Sequence, residues 1–371
     1  MRRTTLVALV VLTSACATTG SSTSTPTATA SEPRSAQQTT TAAQPTGWTI
    51  VARDHLDLWL HGYAMLTRDT ATIPYFERGY RERMRPLKTK RNVLTLLDAN
   101  REQLSSRFLT NPNLVSGQFI PLYFDSWSTM KNAVSLFLQA GGNPRATNDP
   151  TMQSYFLILA GTFESPADRD WLRLFTQSLD DERNRFYLDY WSSEQRARDG
   201  ARHSVDSLWA NVYRAKFQRF LNNTQQQAGE LYLSLPLDGE GRTVSLAKRQ
   251  NAVAVAFPTT PQTAVGAIYV FAHEVVNAIT SVAINDNTTP AEARSGVVAA
   301  YSANATVRGG AMLLQRIAPE LATGYMRYYL QSANRPATAS DPTAAFLAAF
   351  PIPDAIRDAI ARQMDVVLGG I

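Results

Sequence analysis

Apolar positions along the chain fall mostly at helical spacing. Residues 54–67 (DHLDLWLHGYAMLT) carry dense apolar residues with no breaker except Gly62, and predict a helix. Helical patterns recur over residues 92–108, 121–140 (closed by Gly141 and Gly142), 152–162, 167–192 and 204–227. The period changes near Gly229. Residues 230–235 (ELYLSL) alternate and predict a strand, 238–242 (DGEGR) read as turn chemistry, and 243–246 suit a short strand. Residues 251–257 (NAVAVAF) predict a stronger strand, stopped by Pro258. Residues 264–284 are apolar on nearly every face, which predicts a buried central helix. After 285–289 (NDNTT), Thr289, Pro290 and Glu292 supply an N-cap, a first-turn proline and a first-turn acid for a helix running to about residue 317. Further helices are expected over 319–332 and near the C-terminus. The pattern as a whole predicts an α+β fold, mainly α-helical with a small β-sheet.

Composition narrows the function classes. The chain has 371 residues, a single cysteine and four histidines. An internal disulfide and a cysteine-built zinc site are therefore excluded, and most multi-histidine metal sites with them. The net charge of +5 is spread without a Lys/Arg block, which favours solubility and gives no footprint for nucleic acid. Residues 17–47 are Thr, Ser, Ala, Gln and Pro with no aliphatic run, so burial cannot offset their ordering entropy, and they predict a flexible tether. The remaining roughly 320 residues suit one large domain or two at ~100–200 residues each.

The first residues read as an export signal: a basic Arg2-Arg3, a short apolar run from Leu6 to Leu12, then Thr13-Ser14-Ala15-Cys16. Small residues followed by cysteine resemble the bacterial lipobox, with Thr13 where leucine is usual. The resemblance implies that residues 1–15 are removed, that Cys16 is lipidated and that 16–47 tether the folded part to a membrane. Ala17 is not acidic, which implies the outer membrane where the cell has one. The alternative is ordinary secretion, with the cysteine unrelated.

The segment that could carry chemistry is His273-Glu274-Val275-Val276-Asn277, inside the apolar helix. A His-Glu pair there is costly to bury without partners. It resembles the H-E-x-x-H motif of the zincin (gluzincin-like) metallopeptidases, with Asn277 at the second histidine. The resemblance spans roughly residues 229–329, and implies a helical N-terminal region (48–228) followed by a zincin-like C-terminal half (229–371). It puts strand 251–257 in the place of the zincin edge strand. It also puts Asn304, from the following helix, at the position of the third ligand, a glutamate in gluzincins, with Arg308 one turn beyond. Glu274 would be the general base on a metal-bound water, and peptide hydrolysis the reaction class. Only His273 is a good ligand among the matched positions, and carboxamides are poor zinc ligands. The expectation is therefore a pseudoenzyme that binds zinc weakly or not at all. A replacement ligand would have to come from His55, His61, His203 or Glu292.

Other readings stay open. His273 and Glu274 could be satisfied core groups with Arg294 or Arg308 as charge partner. The chain could be a non-catalytic binding or scaffold protein of the envelope, meeting a peptide or protein. It could also be an active zinc hydrolase with a further ligand. Ser128 and Lys131 match S-x-x-K, the nucleophile motif of penicillin-binding proteins, but no K-T-G follows. His55 and His61, with Asp54, Asp57, Trp59 and Tyr63, read as a packed amphipathic helix, and the charged stretch 168–202 as a solvated helix face.

Overall fold

A computed structural model describes residues 47–369, except 69, 248–249 and 338–340. The signal, Cys16 and the tether up to residue 46 lie outside the described residues. The described part belongs to one compact unit. It is mainly helical with one four-stranded mixed sheet, an α+β arrangement.

The chain enters through strand β1 (Gly47–Val51) and helix α1 (Asp54–Leu66). Then come α2 (Tyr80–Lys90), α3 (Leu96–Ala99), α4 (Arg101–Thr110) and a 3-10 segment, Pro112–Tyr123. After these come α5 (Trp127–Gln139), α6 (Pro150–Thr162), α7 (Pro166–Glu182), α8 (Leu188–Ala197), α9 (Asp199–Leu208) and α10 (Arg214–Asn223). Five-residue π turns join α7 to α8 and α9 to α10. Strands β2 (Ala228–Ser234), β3 (Arg242–Ala247) and β4 (Gln250–Ala256) follow, then α11 (Val265–Val275), α12 (Asn277–Asp286), α13 (Pro290–Ser295) and α14 (Val297–Ile317). Helices α15 (Pro319–Ser332), α16 (Thr343–Ala349) and α17 (Asp354–Gly369) complete the unit.

The sheet order is β1-β2-β4-β3, with β1 and β4 parallel to β2, and β3 antiparallel to β4. Strand β1 therefore draws the helical region and the C-terminal half onto one sheet. Its Trp48 packs edge-on against Phe271 of α11, which also meets Trp209 and Phe217. The zincin resemblance puts residues 251–257 at the sheet edge. Strand β4 lies inside instead, because the 235–241 connection carries β3 back along its outer side. Residues Pro261–Asp286 are long and apolar enough to cross a membrane by length and composition, but 78% of the most apolar window is buried inside the protein.

Several expected helices are subdivided. Gly296 adopts φ +80°, a left-handed conformation that costs glycine little, and it separates α13 from α14. The apolar run 264–284 breaks at Val276. Helix α5 starts at Trp127 rather than at 121, because the Ser126 hydroxyl accepts the Thr129 amide and caps it there. Helix α1 is buried from His55 through Leu66 rather than half-exposed. Its polar groups are satisfied inside. His55 Nε2 bonds the Phe124 carbonyl at 2.8 Å, and Asp57 accepts from Ser234, Leu235 N–H and Trp191. The stretch 168–202 is not wholly solvated either, since Asp168 and Glu182 are buried.

Candidate functional site

Helix α11 follows β4 and lies across it, so its residues from Ala267 to Val275 are buried. His273 and Glu274 sit near its C-terminal end, each with a side chain 1% exposed. They bond each other, His273 Nδ1 to Glu274 Oε1 at 2.9 Å. An ionised carboxylate only accepts, so Nδ1 carries the hydrogen. Glu274 Oε2 accepts from Thr243 of β3 and from the Asn277 amide, each at 3.3 Å. The His273 ring stacks on Tyr329 of α15, with centroids 5.2 Å apart and planes 22° apart.

The other edge of the imidazole is different. His273 Nε2 is buried and has no hydrogen-bond partner. Facing it at 3.9 Å is Oε2 of Glu240, whose side chain is 21% exposed. Glu240 lies in the Asp238–Arg242 turn. Its own N–H donates to the Pro74 carbonyl at 2.9 Å, while Tyr329 Oη donates to the Gly239 carbonyl at 3.3 Å. The flanking glycines allow the close approach. A Cβ on Gly241 would stand 2.5 Å from the Ala254 carbonyl and 3.1 Å from Glu274 Cγ, and one on Gly239 would stand 2.1 Å from Ser332 Oγ. Side chains at either position would push the turn off α11 and α15.

Donor atoms of Glu240, His273 and Glu274 thus come within 4.8 Å of one another, a group able to hold a metal ion. Burial alone would lower the His273 pKa, but the Glu240 charge and the Glu274 bond outweigh it and raise it above the ordinary histidine value. The imidazole sits between two carboxylates that both favour its charged form.

The matched positions separate into two sets. His273, Glu274 and Asn277 are brought together, although the helix break at Val276 interrupts the motif. Asn304 is turned away: its amide donates to the Pro351 carbonyl at 2.9 Å. Arg308 likewise donates to the Phe350 carbonyl at 3.3 Å, and burial lowers its pKa. From α14 it is Thr306 that reaches Asn277, at 3.1 Å. None of the suggested replacement ligands is engaged at His273. His55 and His61 are bonded inside the helical region, His203 is exposed beside Asp199, and Glu292 closes the capping box of α13 with Thr289. Arg294 is exposed on α13. The charge partner of His273 is Glu240, which sequence reasoning treated only as part of a turn. Its signal was the acid held between two glycines, a pattern for close backbone approach. Lys131 bonds Asp180 at 3.0 Å, so Ser128 does not have the lysine that an S-x-x-K nucleophile needs.

Compared with family models, curated proteins and solved structures, the chain matches none of them.

Proposed function

We propose that this is an exported bacterial envelope lipoprotein, tethered through Cys16 and the 16–47 segment. Its metallopeptidase-like half serves to bind a peptide or protein rather than to cleave one. The observation that carries the reading is the state of Glu274. A general base must reach a water and a substrate bond in a plausible pose. Glu274 is enclosed, and both its oxygens are committed, to His273 and to Thr243 with Asn277. The matched ligand positions support the same reading. Asn277 is a poor zinc ligand, and Asn304 is spent on Pro351, so zinc has no zincin-type ligand set to occupy. The membrane is the expected partner through the lipid, and nucleic acid is not expected.

The test has two parts. Intact-mass analysis of the protein from its native membrane should show a lipid-modified Cys16 at the N-terminus, and an unmodified Cys16, or cleavage elsewhere, overturns the lipoprotein reading. Incubation with unstructured peptides and added zinc should give no cleavage. Cleavage that disappears in Glu274→Gln overturns the non-catalytic reading.

A further inference from the structure

We propose that His273 and Glu240 bind a divalent transition-metal cation of the zinc class, with Glu274 orienting the imidazole. This set differs from the positions His273, Asn277 and Asn304 that the motif resemblance implies. The inference rests on the side-chain geometry of the cluster and not on the proposed function.

The first support is the unpartnered nitrogen. A buried imidazole nitrogen without a partner is uncommon, and His273 Nε2 is one. The two ring nitrogens point out of opposite edges, so the bond from Nδ1 to Glu274 fixes the ring with Nε2 aimed at Glu240. A carboxylate on one nitrogen and a cation on the other is the usual way a metal-bound histidine is held.

The second support is spacing. Nε2 and Glu240 Oε2 are 3.9 Å apart, too far for a hydrogen bond. Zinc bonds of ~2.0–2.2 Å put neighbouring tetrahedral donors roughly 3.3 Å apart, so a cation would draw the two together by about half an ångström. Glu240 lies on a turn and its side chain is partly exposed, whereas His273 is enclosed in α11, so the approach would come from the Glu240 side. Water entering from the partly exposed Glu240 side would complete the coordination.

The third support is donor type. Glu240, His273 and Glu274 bring one nitrogen and two carboxylates within 4.8 Å of one another. A nitrogen donor with carboxylate oxygen suits zinc and its neighbours, whereas calcium and magnesium call for all-oxygen shells. The cation would clip the β2–β3 connection to α11, joining elements already held in contact by Gly239 and Gly241.

The test uses the full chain, stripped with a chelator and titrated with zinc. Uptake should saturate at one zinc per chain. Glu240→Gln and Glu274→Gln should each weaken binding roughly tenfold or more, and His273→Gln should abolish it. Asn304→Ala should leave it unchanged. X-ray absorption of the zinc-loaded protein should read one imidazole nitrogen among oxygens. Circular dichroism and thermal melting identify any variant that has lost its fold. Glu240→Gln, on a partly exposed turn, is the decisive one. The proposal is overturned if folded wild type takes up no zinc, cobalt or manganese. It is equally overturned if a folded Glu240→Gln protein binds as the wild type does, or if binding instead depends on Asn304. Absence of uptake leaves the non-catalytic envelope reading standing, whereas Glu274-dependent peptide cleavage would remove that reading and not this one.

Discussion

Two buried polar clusters, one in each half of the molecule, use the same residue types and reach different states. In the helical half, Glu182 receives His61 Nε2 at 3.1 Å, Lys88 Nζ at 2.8 Å and the Thr95 hydroxyl. The remaining nitrogen of His61 meets Tyr80 Oη at 3.0 Å, and Lys88 also pairs with Asp98 at 2.5 Å. Every polar atom there has a partner, and the cluster contains its own cation. Burial alone would raise the Glu182 pKa, yet His61 and Lys88 hold it down at about 2. Burial in turn keeps His61 below the usual histidine range. In the C-terminal half, His273 bonds Glu274 through Nδ1 and faces Glu240 at 3.9 Å, and its buried Nε2 is left unpaired. A histidine buried with a carboxylate is thus no sign of function by itself. What separates a structural network from a candidate site is whether the donors, acceptors and charges close on themselves.

The comparison is tested most strongly at Glu182. Glu182→Gln removes the charge that two cationic or donor side chains and a hydroxyl share. Breaking a buried, fully bonded pair costs about 3–5 kcal/mol, and this one belongs at the lower end because Lys88 keeps Asp98 as a second carboxylate. Urea unfolding at neutral pH should show it. A loss under about 1 kcal/mol would mean that the closed network contributes little beyond packing.

A pH profile sharpens the same point, because Asp57 is a buried acid with donors around it but no cation in contact. Burial pushes its pKa up to about 7, against the bonds from Ser234, Trp191 and Leu235. Its folded pKa is above the unfolded one. The protonated form therefore contributes stability that is fully present below about pH 4 and is lost as pH rises through about 7, by up to roughly 4 kcal/mol at 1.36 kcal/mol per unit. Glu182 has the opposite sign: its stabilisation is present above its unfolded pKa and fades as pH falls toward about 2. His55 and His61, whose pKa values burial lowers, and His273, whose pKa is raised by Glu240 and Glu274 against burial, add their own pH dependence to the wild-type curve. The quantity to measure is therefore the difference in unfolding free energy between wild type and Asp57→Asn from pH 4 to 8. That difference should shift in the variant's favour as pH rises, and a flat difference would show that Asp57 does not hold its proton.

Glu274→Gln should cost less than Glu182→Gln, about 1–3 kcal/mol, because no lysine or arginine is left stranded beside it. Equal losses in the two variants, measured under the same denaturant conditions, would erase the distinction between the clusters.

How far this was legible in sequence follows from the same physics. Dense or strictly periodic runs came through: 54–67 as α1, 152–162 within α6, 230–235 around β2, 251–257 around β4 and 319–332 as α15. Elements whose apolar content is thin did not. Helix α2 (YRERMRPLKTK) buries only Tyr80, Met84 and Lys88, one residue per turn, around an internal proline. Strand β1 is five residues beside a polar stretch, and its partner is 181 positions away, as Gly47 from Ala228. At the candidate site, His273 and Glu274 stood out because charge in an apolar helix is costly, and the i, i+4 rule identified Asn277. Thr306 was invisible, and Glu240 showed only as an acid between two glycines, since their approach depends on tertiary closeness of that turn and of α14. Asn304 was misplaced for the converse reason. Spacing from a motif fixes positions along a helix, but the C-terminal segment at Pro351 claims that side of α14.

The smallest effect tests that last point. The single hydroxyl hydrogen of Thr306 is shared between Asn277 Oδ1 at 3.1 Å and the Ser302 carbonyl at 3.0 Å, and Asn277 in turn donates to Glu274 at 3.3 Å. The chain of bonds runs from α14 through α12 to α11, and it holds the carboxylate in the orientation that His273 reads. Thr306→Val keeps the side-chain shape and removes one donor. Asn277 Oδ1 then loses its protein partner, but Asn277 is only partly buried, so solvent can replace the bond. The expected loss is about 1 kcal/mol, the net value of one hydrogen bond. Asn304→Ala, which removes a bond to the Pro351 carbonyl on a partly exposed face, should cost a similar amount. The two differ in what they do to the cluster. Thr306→Val should perturb the His273 imidazole signals in an NMR spectrum, because its effect passes through Asn277 and Glu274, while Asn304→Ala should leave them in place. If Asn304→Ala moves those signals and Thr306→Val does not, the ligand geometry implied by the motif resemblance describes this site better than the side-chain arrangement found here.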